Sequence, residues 1–313
     1  MSESNRVVLR YIPEVAYDVT PVDGDWKTIR YTSESLSATP TTTQSSEIRA
    51  DRMISDMPKV GLTVGGEISF EFSAVSFDDF IESAMCSTWQ PDTPAVGSRQ
   101  IKVGLMDSSY SIEKEYADIG KFASFSGMRV GTMSLSMAYG EILTGSFTFA
   151  GAGADTPATS LVGNGTTEPA TTTSVMNASS DVGSVKIDGV LTDICINSLE
   201  LTLDNGLREI TCIGKDSPKD QKKGTANITG SVEIYLSADS FALYEKALTN
   251  SSISLEYTVS DGTNSYTFLI PNAKLSGEAP ASTGLDSDVM ISMEFTALYD
   301  TTEDSSLVIT ATP

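Results

Sequence analysis

Carboxylates are the side chains of this sequence best placed to do chemistry. Asp and Glu number 42 against 20 Lys and Arg, a formal net charge of −22 over 313 residues. Adjacent or near-adjacent acids occur at Asp78-Asp79, Asp286/Asp288 and Glu67/Glu71. Such pairs could serve as general acid and base or hold a hard divalent cation. Each also has a plainer reading. Asp78-Asp79 suits the positive end of a helix. Asp286/Asp288 follows Gly284 in a polar stretch that lacks the liganding pattern of a calcium loop. Glu67 and Glu71 alternate with apolar residues, as on the solvated face of a strand. The chain has no histidine. That removes Ser-His-Asp and Cys-His nucleophile activation, histidine-ligated zinc and the commonest general base. No phosphate-binding glycine loop or nucleophile elbow is present. The three cysteines, Cys86, Cys195 and Cys212, are widely spaced and read as reduced structural thiols. The residues point to no enzyme, no cofactor and no metal.

Two charged stretches read instead as docking loops. Ser45–Val60 packs Glu47, Arg49, Asp51 and Arg52 closely with both signs, which would fix register on a self-complementary neighbour. Arg208–Gly224 carries Lys215, Lys219, Lys222 and Lys223, half of the eight basic residues after position 156. Scarce positive charge gathered in one loop suits contact with an acidic surface; a solvated turn around Pro218 is the plain alternative.

The elements that must position these loops are mostly strands. Ile68, Phe70 and Phe72 alternate with Glu67, Ser69 and Glu71, giving a strand with one buried face. Ser76 is placed to cap a short helix with Phe77, Phe80, Ile81 and Ala84 on one stripe. Met133–Tyr139 and Leu143–Phe149 alternate around a Gly140-Glu141 turn. Further strands are expected at Leu199–Leu203, Val232–Leu236, Ile253–Val259, Tyr266–Ile270 and Val289–Phe295, with a second helix marked by Phe241, Tyr244 and Leu248.

These features occur twice. Leu62–Met85 lies over Ala226–Thr249 at a constant offset of 164, matching Gly66/Gly230, Ser73/Ser237, Ala74/Ala238, Ser76/Ser240 and Phe77/Phe241. Between the copies, residues 151–183 are rich in Gly, Ala, Thr, Ser and Pro and contain no aromatic residue. The expectation is a mainly β chain of two tandem sandwich-like domains, 1–150 and 184–313, each with one short helix, joined by a linker or arm at 151–183 and arisen by internal duplication.

Several segments resemble the tail tube (major tail) proteins of long non-contractile-tailed bacteriophages. They are RYIPEVAYDVTP, WKTIRYTSESL, SSEIRADRMISD and GGEISFEFSAVSFDDFIESAM in the first half, and SLELTLDNGL and GSVEIYLSADSFALYEKAL in the second. They lie in order over most of the chain. The resemblance implies a β-sandwich-like subunit that joins sheets edge to edge into rings, stacks them through a long loop and arms, and passes DNA along the lumen. Its partners would be itself and other tail proteins at the tube ends, in a virion tail assembled in the host cytoplasm. Most such rings hold six single-domain subunits, so two copies per chain imply a trimeric, pseudo-hexameric ring; a homohexamer is the alternative. On this reading Glu47, Arg49, Asp51, Arg52, Lys215, Lys219, Lys222 and Lys223 act in ring stacking, and Glu67, Glu71, Glu200 and Glu233 line an acidic lumen. An acidic chain suits a conduit, because each lumenal cation would pair with phosphate. No run of 18 apolar residues could span a membrane, and the first 14 residues do not read as a secretory signal. The rival expectation is a duplicated adhesin, tail-fibre or decoration protein that binds a surface carbohydrate or protein. A glycosidase working with carboxylates alone would need a cleft with facing acids, and no aromatic-lined run suggests one; Trp26 and Trp89 read as core or interface residues.

Overall fold

The structure is a computed structural model and describes residues 3–163, 165–191, 194–280, 284–285 and 287–313. The first half holds β1 (Val7–Pro13), β2 (Asp25–Thr28), β3 (Ser33–Glu34), β4 (Ser37–Thr42), β5 (Lys59–Glu71), α1 (Asp78–Met85), β6 (Gln90–Pro91), β7 (Arg99–Lys102), β8 (Tyr110–Tyr116), β9 (Lys121–Ala138) and β10 (Thr144–Gly151). Two short strands, β11 (Gly153–Asp155) and β12 (Thr166–Glu168), follow. The second half holds β13 (Val182–Ile187), β14 (Val190–Leu191), β15 (Ile196–Asp204), β16 (Arg208–Ile210), β17 (Asp220–Lys222), β18 (Asn227–Tyr235), α2 (Ala238–Leu248), β19 (Ser252–Ser260), β20 (Ser265–Gly277), β21 (Met290–Ala297) and β22 (Val308–Thr312). The chain is mainly β, with two short α-helices among the described residues.

Both halves use one strand order. In the first, β4-β5-β10-β9-β8-β1-β2 are neighbours; in the second, β15-β18-β21-β20-β19-β13-β14. The register repeats as well. Phe147 lies opposite Ile68 and Phe149 opposite Gly66, while Met293 lies opposite Val232 and Phe295 opposite Gly230. The two glycines admit different close approaches: Gly66 (φ +149°) the Ser35 carbonyl oxygen, 2.5 Å from where a Cβ would sit, and Gly230 an aromatic ring. A Cβ on Gly230 would sit 2.3 Å from the Phe295 ring and 2.1 Å from the Glu200 carbonyl oxygen.

The halves are joined through strands as well as chain. The last residues of β9 pair antiparallel with β15, from Ala138 opposite Ser198 to Thr132 opposite Asp204. A second join places β22 on β7, with Ile309 opposite Ile101. One buried cluster therefore runs through both halves, from Ile68, Phe70 and Phe147 to Leu201, Tyr257 and Phe268. Each large apolar side chain so buried contributes about 1.5–3 kcal/mol against exposure. The long β9 changes neighbours along its length: its first part pairs with β8 and β11, and its last part pairs with β10 and β15.

The segment 151–183 lies along the first half. β11 pairs with β9, β12 runs parallel to β2, and Met176 is fully buried. Buried Glu113 anchors it, accepting from the Ser160 hydroxyl at 2.8 Å and the Leu161 N–H at 2.5 Å while pairing with Arg10 at 3.3 Å.

Three local expectations need correction. Ser76 does not cap α1. The helix starts at Asp78 after Phe77, one residue too late for Ser76. Its hydroxyl is engaged by Ser73 at 2.7 Å and by Thr171. Asp78 and Asp79 do stand in the first turn, where Asp78 pairs with Arg99 at 2.5 Å and accepts from the Tyr266 hydroxyl at 2.8 Å. Asp79 pairs with Lys27 at 2.6 Å and accepts from the Tyr11 hydroxyl at 2.9 Å. In α2, Phe241 and Leu248 are exposed, and Ser240 and Leu243 face inward. The cause is the capping box: Ser240 exchanges hydrogen bonds with Ser237 and donates to the Tyr235 carbonyl at 3.0 Å, which holds that side of the helix inward. Tyr139 lies outside its strand and is exposed, because the chain already turns at Gly140, φ +81°. Trp26 is fully buried, and Trp89 packs under the Arg99 guanidinium at 4.8 Å.

Candidate functional site

The strand registers bring all four acidic lumen candidates onto one sheet face. In an antiparallel sheet, residues directly opposite one another project to the same side. Ile68, Phe70, Leu199, Leu201, Val232 and Phe295 are buried, so their neighbours along each strand point the other way. One row across this outer face reads Glu71, Thr144, Ser136, Glu200, Ser231 and Glu294, over β5, β10, β9, β15, β18 and β21. The next row reads Ser69, Ser146, Ser134, Thr202, Thr229 and Thr296. Glu67 and Asp204 belong to the row beyond, with Thr148 and Thr132 between them. Glu233 belongs to the row on the other side, between Ser198 and Ser292. These rows hold six carboxylates and no Lys or Arg. At about 4.8 Å per strand the six strands span about 24 Å.

Hydroxyls and amides hold the face in place. The Ser134 and Ser146 hydroxyls meet at 2.8 Å, Asn197 donates to Glu233 at 2.6 Å, and Ser231 donates to Glu200 at 3.4 Å. Over these six strands the face therefore presents acceptors and negative charge; the first cation beyond them is Lys274 on β20, opposite Thr296, whose ammonium donates to the Asn250 carbonyl. Asp204 and Glu294 were not singled out from sequence. The alternation of Ser292, Glu294 and Thr296 with Ile291, Met293 and Phe295 was readable, and Asp204 directly follows the strand expected at Leu199–Leu203. Asp288 is exposed, and Asp286 lies outside the described residues. Among the described residues no group of three or more potential ligands could hold a metal ion. No described helix is long and apolar enough to cross a membrane.

The first charged loop is the tip of the β4–β5 hairpin. The ladder runs on past the strands through Thr43 N–H to the Pro58 carbonyl and Ser45 N–H to the Asp56 carbonyl. Beyond it Arg49 and Asp51 form a two-pronged ion pair at 3.0 and 2.7 Å. The Arg49 guanidinium, together with the Met53 N–H, holds the Asp51 carboxyl below the usual carboxylate range. Arg52 takes a left-handed backbone, φ +59°, and neither it nor Glu47 has an ion pair among the described residues. Four apolar side chains project from this hairpin end, with Ile48 98%, Met53 70%, Ile54 64% and Met57 54% exposed.

The second charged loop lies beside the first. Lys59 pairs with Asp216 at 2.7 Å, and the Leu62 N–H donates to the Asp216 carbonyl at 2.6 Å. Two of its lysines are engaged within the chain. Lys222 pairs with Asp220 at 2.6 Å; Lys223 pairs with Asp107 at 2.9 Å and donates to the Leu105 and Met106 carbonyls. Lys215 and Lys219 have no ion pair among the described residues. The base of the loop is pinned by Arg129, which is nearly buried, lies 3.3 Å from Asp220, stacks over Tyr17 at 4.6 Å and donates to the Gln221 carbonyl. Sequence reading missed this clasp, because its members lie far apart along the chain.

Comparison with known proteins agrees with this architecture. The family profile described as phage tail tube protein matches residues 4–297, nearly the whole chain. No curated protein matches the chain significantly. The matched span takes in both halves, the charged hairpin and every strand of the acidic face, and the chain belongs to the phage tail tube protein family, structural proteins of the virion tail.

Proposed function

We propose that this chain builds the tail tube as stacked rings of three chains, pseudo-hexameric because each chain supplies two halves of one strand order, and that the outer face of its continuous sheet lines the lumen through which DNA is ejected. The observation that carries this reading is the face itself: six carboxylates and many hydroxyls over six strands, with no Lys or Arg until Lys274 on the adjoining β20. A conduit wall that offered cations would exchange counterions with the passing duplex and hold it. The matching strand order and the equivalent registers of Gly66 and Gly230 favour an internal duplication as the origin of the halves.

Ring stacking falls to the hairpin tip with Glu47, Arg49, Asp51 and Arg52, and to the adjoining loop with Lys215 and Lys219. Support comes from the exposed Ile48, Met53, Ile54 and Met57 at the tip, which would be buried against the next ring. Lys222 and Lys223 shape the second loop from within through their pairs with Asp220 and Asp107. Assembly takes place in the host cytoplasm, against other tail proteins at the tube ends.

Negative-stain electron microscopy with light scattering on the purified chain tests the reading. Rings or hollow tubes with a mass of three chains per ring are expected. Rings of six chains would keep the conduit and refute the pseudo-hexamer. A monomer that stays single even with tail-tip proteins added would refute the ring.

A further inference from the structure

At β9 and β15 the chain makes one joint between the face-forming strands of its first and second halves, and it leaves exposed the two edges that would make the converse joint. We propose that β20 of one chain pairs with β4 of the next, in the register that β9 and β15 set within a chain; this rests on the ring reading above.

The correspondence follows from shared partners. Ala38 lies opposite Val64 as Leu203 lies opposite Ile228, so β3 and β4 stand to β5 as β15 stands to β18. Met133 lies opposite Phe147 as Gly277 lies opposite Met293, so the last part of β9 stands to β10 as the end of β20 stands to β21. Within the chain Thr132 faces Asp204 and Met133 faces Leu203. The equivalent joint puts Ser276 opposite Thr39, Gly277 opposite Ala38 and Glu278 opposite Ser37 of the neighbour.

Both edges are available. Among the described residues β4 pairs only with β5, and all six of its residues are exposed. On β20 the pairing with β19 stops at Lys274, and from there to Gly277 only β21 lies alongside. Ser276, Gly277 and Glu278 are exposed. The β4 edge lacks the usual defences against pairing, and on β20 the charges Lys274 and Glu278 flank an uncharged Ser276-Gly277. The stretch Ser37–Thr39 holds no charge, and Pro40, which has no N–H to donate, falls one residue beyond it. The occupant is a second copy of this chain, because the two edges are complementary to each other by the same geometry already satisfied at β9 and β15. A head-to-tail contact of this kind generates a ring where its rotation closes. It also continues the outer face across the joint, since Thr39 and Ser37 correspond to Asp204 and Thr202 of that face.

Cysteine pairing during assembly tests the register. In a chain with Cys195→Ser and Cys212→Ser, whose native thiols are exposed, Thr39→Cys is combined with Ser276→Cys. Tubes are assembled, oxidised mildly and run on a non-reducing gel. Covalent multimers ending in a closed trimer are expected, at about ten-fold the yield of a Ser37→Cys/Ser276→Cys pair two residues out of register, because a disulfide tolerates little more than about 4.5 Å between Cβ atoms. A Ser37→Cys/Glu278→Cys chain, also in register, supplies an independent second pair. Rings that cross-link at neither in-register pair, or equally well out of register, overturn the joint and leave the ring reading standing. Covalent dimers from Thr39→Cys alone overturn it in favour of a β4-to-β4 contact. Chains that neither assemble nor cross-link with tail-tip proteins added overturn both.

Discussion

Reversing Glu67 and Glu71 to lysine should leave the tube intact and make it hold DNA. Both side chains project from the outer face of β5, away from Ile68, Phe70 and Phe72, so no core contact is lost. The face would pass from six carboxylates per chain to four carboxylates and two ammonium groups. A ring of three chains would then offer six cations to the phosphates of a passing duplex. With a slope of about −0.9 per phosphate neutralised, affinity between tube and duplex would fall roughly a thousand-fold from 50 to 200 mM salt. The assay is retention of fluorescent duplex DNA by assembled tubes across that salt range, with electron microscopy of the same tubes and infectivity of phage carrying the variant. Glu67→Gln/Glu71→Gln, which removes charge and adds none, should retain far less. Tubes that hold no DNA at 50 mM salt, or hold it without salt dependence, would show that these residues do not face the lumen.

The remaining predictions concern folding and stacking. Gly230→Val should destabilise the chain by at least about 2 kcal/mol by overpacking, since even a Cβ would meet the Glu200 carbonyl at 2.1 Å; a thermal midpoint unchanged from the native chain would refute the close approach. Ser237→Ala should cost about 0.5–2 kcal/mol by removing the N-cap of α2, read as an earlier urea transition, whereas Ser76→Ala should not act through helix capping. Replacing Glu47–Ile54 by a Gly-Ser loop should leave the monomer's melting temperature nearly unchanged, because the tip packs on nothing, yet yield rings that fail to stack in electron micrographs. The Asp107 carboxyl is pushed up by burial but held below the usual range by the Lys223 ammonium and Arg129, which outweigh it, and Asp220 is held low chiefly by Lys222. A depressed carboxylate stabilises fully above the unfolded value near 4 and loses that contribution as pH falls through the folded value. Native protein should therefore exceed Asp107→Asn in urea stability by under about 1 kcal/mol at pH 7, given partial exposure, and the gap should narrow as pH falls below the unfolded value toward the folded one.

Much of the strand content was legible because one face of each strand is buried. Ile68, Phe70 and Phe72, or Ile291, Met293 and Phe295, can alternate with polar residues only if one side meets a core. What could not be read was the partner of each strand. β9 joins β15 through residues about 66 positions apart, and nothing local to Thr132–Ala138 announces it. Asp204 and Glu294 therefore entered the acidic face only once register was known. The helices erred for a related reason. Phe241 has the residue type of a buried helix position, but the capping box turns Ser240 inward instead, a choice decided by hydrogen bonds rather than hydrophobicity. Lys222 and Lys223 looked like scarce free cations, and their carboxylate partners became visible only with the loop folded back on Asp220 and Asp107.

The joint between β9 and β15 changes the entropy of assembly. Bringing two separate bodies together costs an estimated 4–15 kcal/mol in lost translation and rotation. Six independent domains closing a ring lose the freedom of five bodies; three chains with the joint already made lose that of two. In the proposed ring of three chains, half of the seams would be settled when each chain folds, at any concentration, and only the other half would respond to how many subunits are present. A ring so built has a nucleation threshold set by three contacts, and under strain it would part at those three places first.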